Sequence, residues 1–462
     1  MNQSVPVFNN QFELLKQPSS EKLSFWKFFL RYPIFLLAFG PPIFRPGSGI
    51  DATRGEIDFW ALFQIIWIGA IAARAIFRLA SAHLILIPRR VRSVFRSAFL
   101  LGLFFLASAE YSPSRFVSAA YAVIYFLTTI CAVEFVVDIQ KNSFDWMQCL
   151  FHLRMVFFLL MCLVIITIFI DPNIVMAWLP GVGIRLLGGT VAPVGVICPF
   201  MAVISIYSFL FSLESKARSA FFFMAGLAGT LITQSRGCEL AFLASLALIG
   251  FFWSGTSRRN NYLFIASSFA SVLLGSAVLA VGGGDRIWNI FNRGQSIEGI
   301  ESVSGRANIW KFVIDYCMAH PFGMGYIAGF RTVFREYNTL SQVFTAAHIG
   351  NTHSSFIDVL ADAGWLAFAV YLFLLVKIVA LGWRYARKRA ILLTASEQRT
   401  RHALRCALAL LVFCLVCGID SSDFCIPLRG SFYLQNIVFA IILGISARML
   451  IASRAQPITP PA

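Results

Sequence analysis

The chain has 462 residues, 58% hydrophobic and only 13% charged, with a formal net charge of +16 and a mean hydropathy of +0.75. A soluble domain carries roughly 45–50% apolar and about 25% charged residues, so a soluble globular enzyme, a disordered chain and a disulfide scaffold are excluded. The apolar residues fall in runs of about 17–22, the length of helix that crosses a hydrocarbon layer of roughly 30 Å, rather than in the short alternating segments of a transmembrane barrel. The expected fold class is an all-α polytopic membrane protein forming one large bundle.

About 12 spans are predicted, with cores at 26–44, 59–80, 94–109, 116–137, 155–171, 193–212, 218–234, 238–253, 262–282, 357–383, 403–419 and 431–450. This divides the chain into a tail (1–24), nine spans (25–282), a long polar loop (283–356), three further spans (357–450) and a second tail (451–462). The polar first 20 or so residues argue against a cleavable signal peptide. With the N-terminus inside, the dense basic clusters all fall on one side: Arg89-Arg90-Val91-Arg92, Lys216 and Arg218, Arg258-Arg259, the run Arg384 to Arg405, and Arg454 in the tail. Basic residues gather on the cytoplasmic side of membrane proteins, so both termini are expected there. The positive charge is thereby explained without a nucleic-acid partner. Ten cysteines are scattered, several inside apolar runs (Cys131, Cys162, Cys414, Cys417), and read as buried reduced thiols. Cys414-Leu-Val-Cys417 has redox-motif spacing but no strand pattern around it.

The loop 283–356 is far longer than an ordinary connection. Within it, 304–317 reads as an amphipathic helix with Ile309, Trp310, Val313, Ile314 and Cys317 on its apolar face, Ser304 as cap, and His320-Pro321 with Gly323 and Gly325 ending it. It is expected to lie along the outer membrane–water boundary.

Three polar groups share the outer face under this topology: Thr233-Gln234-Ser235-Arg236-Gly237, Gly305-Arg306, and Asn351-Thr352-His353-Ser354-Ser355. The first and third feed membrane helices whose N-terminal N–H groups suit a phosphate. Gly237 lets an anion approach the backbone, and the forked guanidinium groups of Arg236 and Arg306 match phosphate oxygens. Each has a plainer reading. Arg236 pairs with Glu239, Arg306 docks its helix on headgroups, and His353 is a hydrogen-bonded surface residue. Their shared face favours a diphosphate site at the lipid–water boundary. The sequence has no Asp-x-Asp pair, no His-Glu-x-x-His run and no nucleotide-cradling glycine loop. No metal and no cofactor are expected, and arginines carry the electrostatic stabilisation. Asp420 and Asp423 are reserve bases, read more simply as solvated loop carboxylates. His348, Arg331 and Arg335 are candidate contacts to sugar or phosphate. Charges in or near spans (Arg74, Arg78, Glu134, Asp138, Lys377) are the feature that a transporter or flippase would explain, although no internal repeat is visible.

Thr-Gln-Ser-Arg-Gly at 233–237, Gly-Arg-x-x-x-Trp at 305–310, His-Pro-x-Gly-x-Gly at 320–325 and His-Ser-Ser-Phe-Ile-Asp-Val-Leu-Ala-Asp-Ala-Gly at 353–364 together resemble the O-antigen ligase and polymerase superfamily. The resemblance covers roughly 219–380. It implies a bacterial inner-membrane glycosyltransferase of GT-C-like fold, with its active site facing the periplasm. A glycan on undecaprenyl diphosphate would pass to an acceptor glycan hydroxyl, with inversion and without metal or nucleotide. Lipid bilayer, donor and acceptor are the implied partners, with a chain-length regulator and a flippase of the same pathway. By motif, Arg236 and Arg306 take the family's essential arginine positions, His353 the essential histidine, and Asp362 the acidic position after it. Ser354 departs from the asparagine often found there. His353 would either position the diphosphate or accept the acceptor's proton, since an unperturbed histidine titrates near pH 6.5. The donor chemistry is common to polymerase and ligase. The Gly-Arg-x-x-x-Trp and His-Pro pattern resembles exopolysaccharide-type polymerases more closely.

Overall fold

The computed structural model describes residues 24–39, 59–80, 87–141, 145–179, 183–186, 194–233, 235–256, 306–341, 352–387, 394–421, 424 and 430–455. In chain order these form α1 (Phe25–Arg31), a 3-10 turn (Pro33–Phe39), α2 (Phe59–Ala80), α3 (Arg89–Ser108), a second 3-10 turn (Ala109–Tyr111), α4 (Arg115–Lys141), α5 (Trp146–Ile170) and α6 (Pro172–Val175). Strands β1 (Met176–Leu179) and β2 (Gly183–Leu186) follow, then α7 (Val194–Leu210), α8 (Lys216–Thr233), α9 (Arg236–Ser254), α10 (Arg306–Ala319), α11 (Ala328–Ser341), α12 (Ser355–Ala386), α13 (Ala395–Asp420) and α14 (Gly430–Ala455).

Among the described residues seven helices are long and apolar enough to cross a membrane: α3 with its following turn, α4, α5, α9, α12, α13 and α14. The chain is an all-α polytopic membrane protein. Its described departure from helix is the antiparallel β1–β2 hairpin, which pairs Met176 with Leu186 and Leu179 with Gly183. Sequence expectation and structure part at the first span. The stretch expected as 26–44 is broken at Tyr32, which adopts φ −119° and ψ 74° ahead of Pro33, because a proline clashes with a helical residue before it. The span expected at 262–282 lies outside the described residues.

Local chemistry sets the helix ends. Asp145 caps α5 by accepting from Met147 N and Gln148 N at 3.0 and 3.2 Å, and Thr394 and Glu397 form a reciprocal capping box on α13. Arg399 reaches Asp145 at 3.1 Å, so the starts of α5 and α13 meet at one end of the bundle. Gly226 and Gly229 let α8 press on α7. A Cβ on Gly226 would lie 2.7 Å from the Cys198 carbonyl oxygen, and one on Gly229 2.4 Å from Cys198 Sγ. Close approach at small residues is a common way to hold membrane helices together.

Several charges inside the bundle are partnered. Arg78 spans Glu134 and Asp138, each at 2.6 Å. Lys377 Nζ donates to Ser93 Oγ at 2.9 Å and Ser97 Oγ at 3.0 Å. A further pair was not anticipated: Arg154 grips Glu214 with both terminal nitrogens, Nη2 to Oε2 at 2.8 Å. Both side chains are buried. Removing one partner of a buried pair costs about 3–5 kcal/mol. Arg154→Met should therefore lower thermal stability in detergent markedly, and adding Glu214→Gln should recover most of the loss.

The long loop contributes two packed helices. Ile309, Val313 and Cys317 of α10 meet Phe330 and Phe334 of α11 and Leu360 and Ala361 of α12 in a small second core. Ile314, expected on the buried face, is instead 39% exposed. It lies at the edge of the stripe that positions 309, 313 and 317 define. Ser304, the expected cap, lies outside the described residues.

Candidate active site

The site is framed by a break in α12. Gly364 has φ 76° and ψ −172°, a conformation nearly confined to glycine. The break deprives Ala361 and Asp362 of their normal i+4 donors, and buried carbonyls need partners. The 321–325 turn supplies them. Met324 N donates to Ala361 O at 2.7 Å and Gly325 N to Asp362 O at 3.0 Å, while Trp365 N turns to Pro321 O at 3.1 Å. The turn fits because glycine stands at the two positions that need positive φ and close approach. Gly323 and Gly325 have φ +82° and +105°, and a Cβ on Gly323 would sit 2.8 Å from Ala361 O. The His-Pro-x-Gly-x-Gly and Asp-Ala-Gly motifs are thus two halves of one backbone joint.

The next residues anchor this joint to the bundle. Tyr326 N donates to Ser108 Oγ at 3.0 Å, and Ser118 Oγ donates to Tyr326 O at 2.7 Å. The Tyr326 ring stacks on Phe105 with centroids 4.0 Å apart.

His353 lies immediately before α12, with φ +57°. Non-glycine residues in this region are uncommon and collect at functional sites. Its neighbours hold it there. Thr352 N donates to Asp358 Oδ1 at 3.0 Å, Thr352 Oγ1 to Ser354 O at 2.9 Å, and Ser354 N to Thr352 Oγ1 at 3.2 Å. From α10, Trp310 Nε1 donates to Thr352 O at 2.9 Å. Arg306 opens α10 one turn before Trp310, so the helix that it begins is tied to the residue before His353. Arg306 is half-buried, and the loss of hydration holds its pKa below the usual arginine value.

Arg236 opens α9 at the same end of the bundle. Its side chain is not among those described. The connection runs through α13: Cys238 Sγ lies 3.4 Å from Cys417 Sγ, and Ser421 O accepts from Ser355 N at 3.0 Å and Ser355 Oγ at 2.6 Å. The starts of α9 and α12 therefore flank the end of α13. Ser235 and Ser354 are their N-cap residues, and neither makes a side-chain cap bond. The backbone N–H groups in those first turns are thus not engaged by their own cap side chains. Gly237 is the second residue of α9.

Asp362 is 3% exposed and sits beneath the loop. Burial and then its carboxylate raise the nearby Cys317 thiol to about 12. This is a position in the framework under the site. Arg331 and Arg335 are carried by α11, and Asp420 ends α13 beside Ser421. His348 and Asp423 lie outside the described residues. Asp358 and Trp310 entered the sequence reading as motif members, and Trp310 also as part of the apolar helix face, without a role of their own in the site. Only the fold shows that both grip the residue before His353. Among the described residues no group of three His, Cys, Asp or Glu side chains is arranged to hold a metal ion.

Residues 220–372 match the family described as O-antigen ligase. The matched stretch runs from α8 through the loop helices to α12 beyond its break, and contains Arg236, Arg306, His353 and Asp362. No curated protein matches the chain. The similarity to the family described as O-antigen ligase thus falls on the segment that bears the candidate site.

Proposed function

We propose that the protein is a polysaccharide polymerase of the bacterial inner membrane. It transfers a glycan from undecaprenyl diphosphate to a sugar hydroxyl of an acceptor glycan at the periplasmic face. The observation that carries this reading is His353, held in a left-handed conformation before α12 by a residue that Trp310 of the Arg306 helix also grips, inside the segment that matches the family. The acceptor oxygen attacks the anomeric carbon from the side opposite the leaving group. The bond from that carbon to the phosphate oxygen breaks, and the diphosphate departs with the electron pair. Arg306 and Arg236 stabilise the growing negative charge, aided by the N-termini of α9 and α12. His353 takes the acceptor proton or orients the diphosphate.

The family description favours a second reading, a ligase that moves the finished glycan to lipid A core. A flippase is less well supported, because Arg78, Arg154 and Lys377 are engaged within the bundle. In vitro transfer with purified protein, lipid-linked repeat unit and chelator tests the proposal. Longer lipid-linked oligomers would support a polymerase, whereas product only with lipid A core would establish the ligase. Activity lost to the chelator would remove the metal-free mechanism.

Trp310 is a positioning residue in this scheme. One neutral hydrogen bond is worth about 1 kcal/mol, so Trp310→Phe should slow transfer roughly fivefold while leaving the apparent affinity for the donor nearly unchanged. An equal loss in donor affinity would argue instead that α10 as a whole had shifted.

A further inference from the structure

Cys238 stands two residues from the start of α9 and Cys417 three residues from the end of α13. Their sulfur atoms are 3.4 Å apart, and both residues are buried, 7% and 1% exposed. A disulfide bond is about 2.05 Å long, so the two sulfur atoms already face each other little more than a bond length beyond it. The register is held independently two turns deeper, where Ser245 Oγ of α9 donates to Ala409 O of α13 at 2.9 Å. The two helices thus present these thiols to each other along a fixed interface.

We propose that Cys238 and Cys417 are joined by a disulfide in the assembled protein. The inference rests on the outer-face assignment made above, because disulfides persist on the oxidising side of a membrane. The oxidant is a disulfide-bearing protein or small molecule on that side. The thiolate of one cysteine attacks the oxidant's S–S bond, a mixed disulfide forms, and one oxidant sulfur leaves with the electron pair. The second cysteine loses its proton and attacks the mixed disulfide, which closes the Cys238–Cys417 bond and releases the other oxidant sulfur. Two protein thiols are oxidised and one external disulfide is reduced to two thiols. Burial of both sulfurs places this step before α9 and α13 have fully packed, and shields the bond from reductants afterwards. The bond fastens the helix that begins at Arg236 to α13, whose end already holds the start of α12 through Ser421 and Ser355.

The test uses the full chain in membranes, quenched with N-ethylmaleimide, denatured and treated with a maleimide-linked polymer with or without prior reduction. Two additional adducts after reduction are expected, both lost in Cys238→Ser and in Cys417→Ser, together with a cross-linked peptide lighter by two hydrogens. Equal adduct numbers with and without reduction would overturn the inference. Ser114→Cys, at the same bundle end, reports the side independently through a membrane-impermeant maleimide. Labelling from outside with a reduced pair would end the disulfide inference alone. Labelling only from inside would end the outer-face assignment as well.

Discussion

Gly364→Ala should be the most damaging single-methyl change in the described chain. An added Cβ would stand 1.9 Å from the Pro321 carbonyl oxygen, at a residue with φ +76°. The strained conformation alone costs on the order of 1–3 kcal/mol for a non-glycine residue. The collision adds to this, and the three backbone bonds between the 321–325 turn and α12 are each worth about 0.5–1.5 kcal/mol. Transfer should fall below detection, and the thermal midpoint in detergent should drop clearly. Gly255→Ala is the control. It has ordinary φ, and its nearest neighbour would be 3.7 Å away, so a change within about 0.5 kcal/mol is expected. Equal behaviour of the two variants would show that the joint at Gly364 bears no strain.

Arg306→Ala should reduce transfer by roughly 10²–10³-fold, the usual consequence of removing one donor aimed at developing negative charge. Membrane insertion and thermal stability should be little affected, since Arg306 begins its helix and Ile309, Val313 and Cys317 do the packing. His353→Ala should cause a loss of at least similar size. Arg306→Lys separates the diphosphate role from simple docking on headgroups. A lysine supplies the charge without the planar fork, so only a minor part of the activity should return. Full recovery with lysine would identify Arg306 as a headgroup anchor and leave the diphosphate without its second guanidinium.

The helical bundle was legible in the sequence because apolar run length is a direct readout of hydrocarbon thickness. Ten of the expected cores fall on described helices, while Tyr32-Pro33 divides the first. The buried face of α10 was legible for the same kind of reason, since Ile309, Val313 and Cys317 recur at helical spacing. Helix α11 was not. Its Phe330, Val333 and Phe334 are interrupted by Arg331 and Arg335, and the stripe is too short to stand out. Gly364 closed a quoted motif, but inside the span expected at 357–383 a glycine reads as an ordinary residue of a membrane helix. The motif turn at 320–325 was recognised, but its purpose depends on carbonyls that become available only when α12 breaks. Asp358 stood in the 353–364 motif with no role of its own, and its grip on Thr352 requires the backward bend at His353. Arg154 and Glu214 escaped notice because they are 60 residues apart and only packing unites them.

The clasp between Ser118 and Tyr326 joins positions 208 residues apart. Pairings so distant close late, because the intervening chain must be in place before the contact can repay the lost freedom. Synthesis delivers α3 and α4 to the bilayer long before the turn that grips them exists. The transfer centre is accordingly a product of completed assembly, and a chain that stops short of residue 326 would insert its early helices while possessing no catalytic architecture at all.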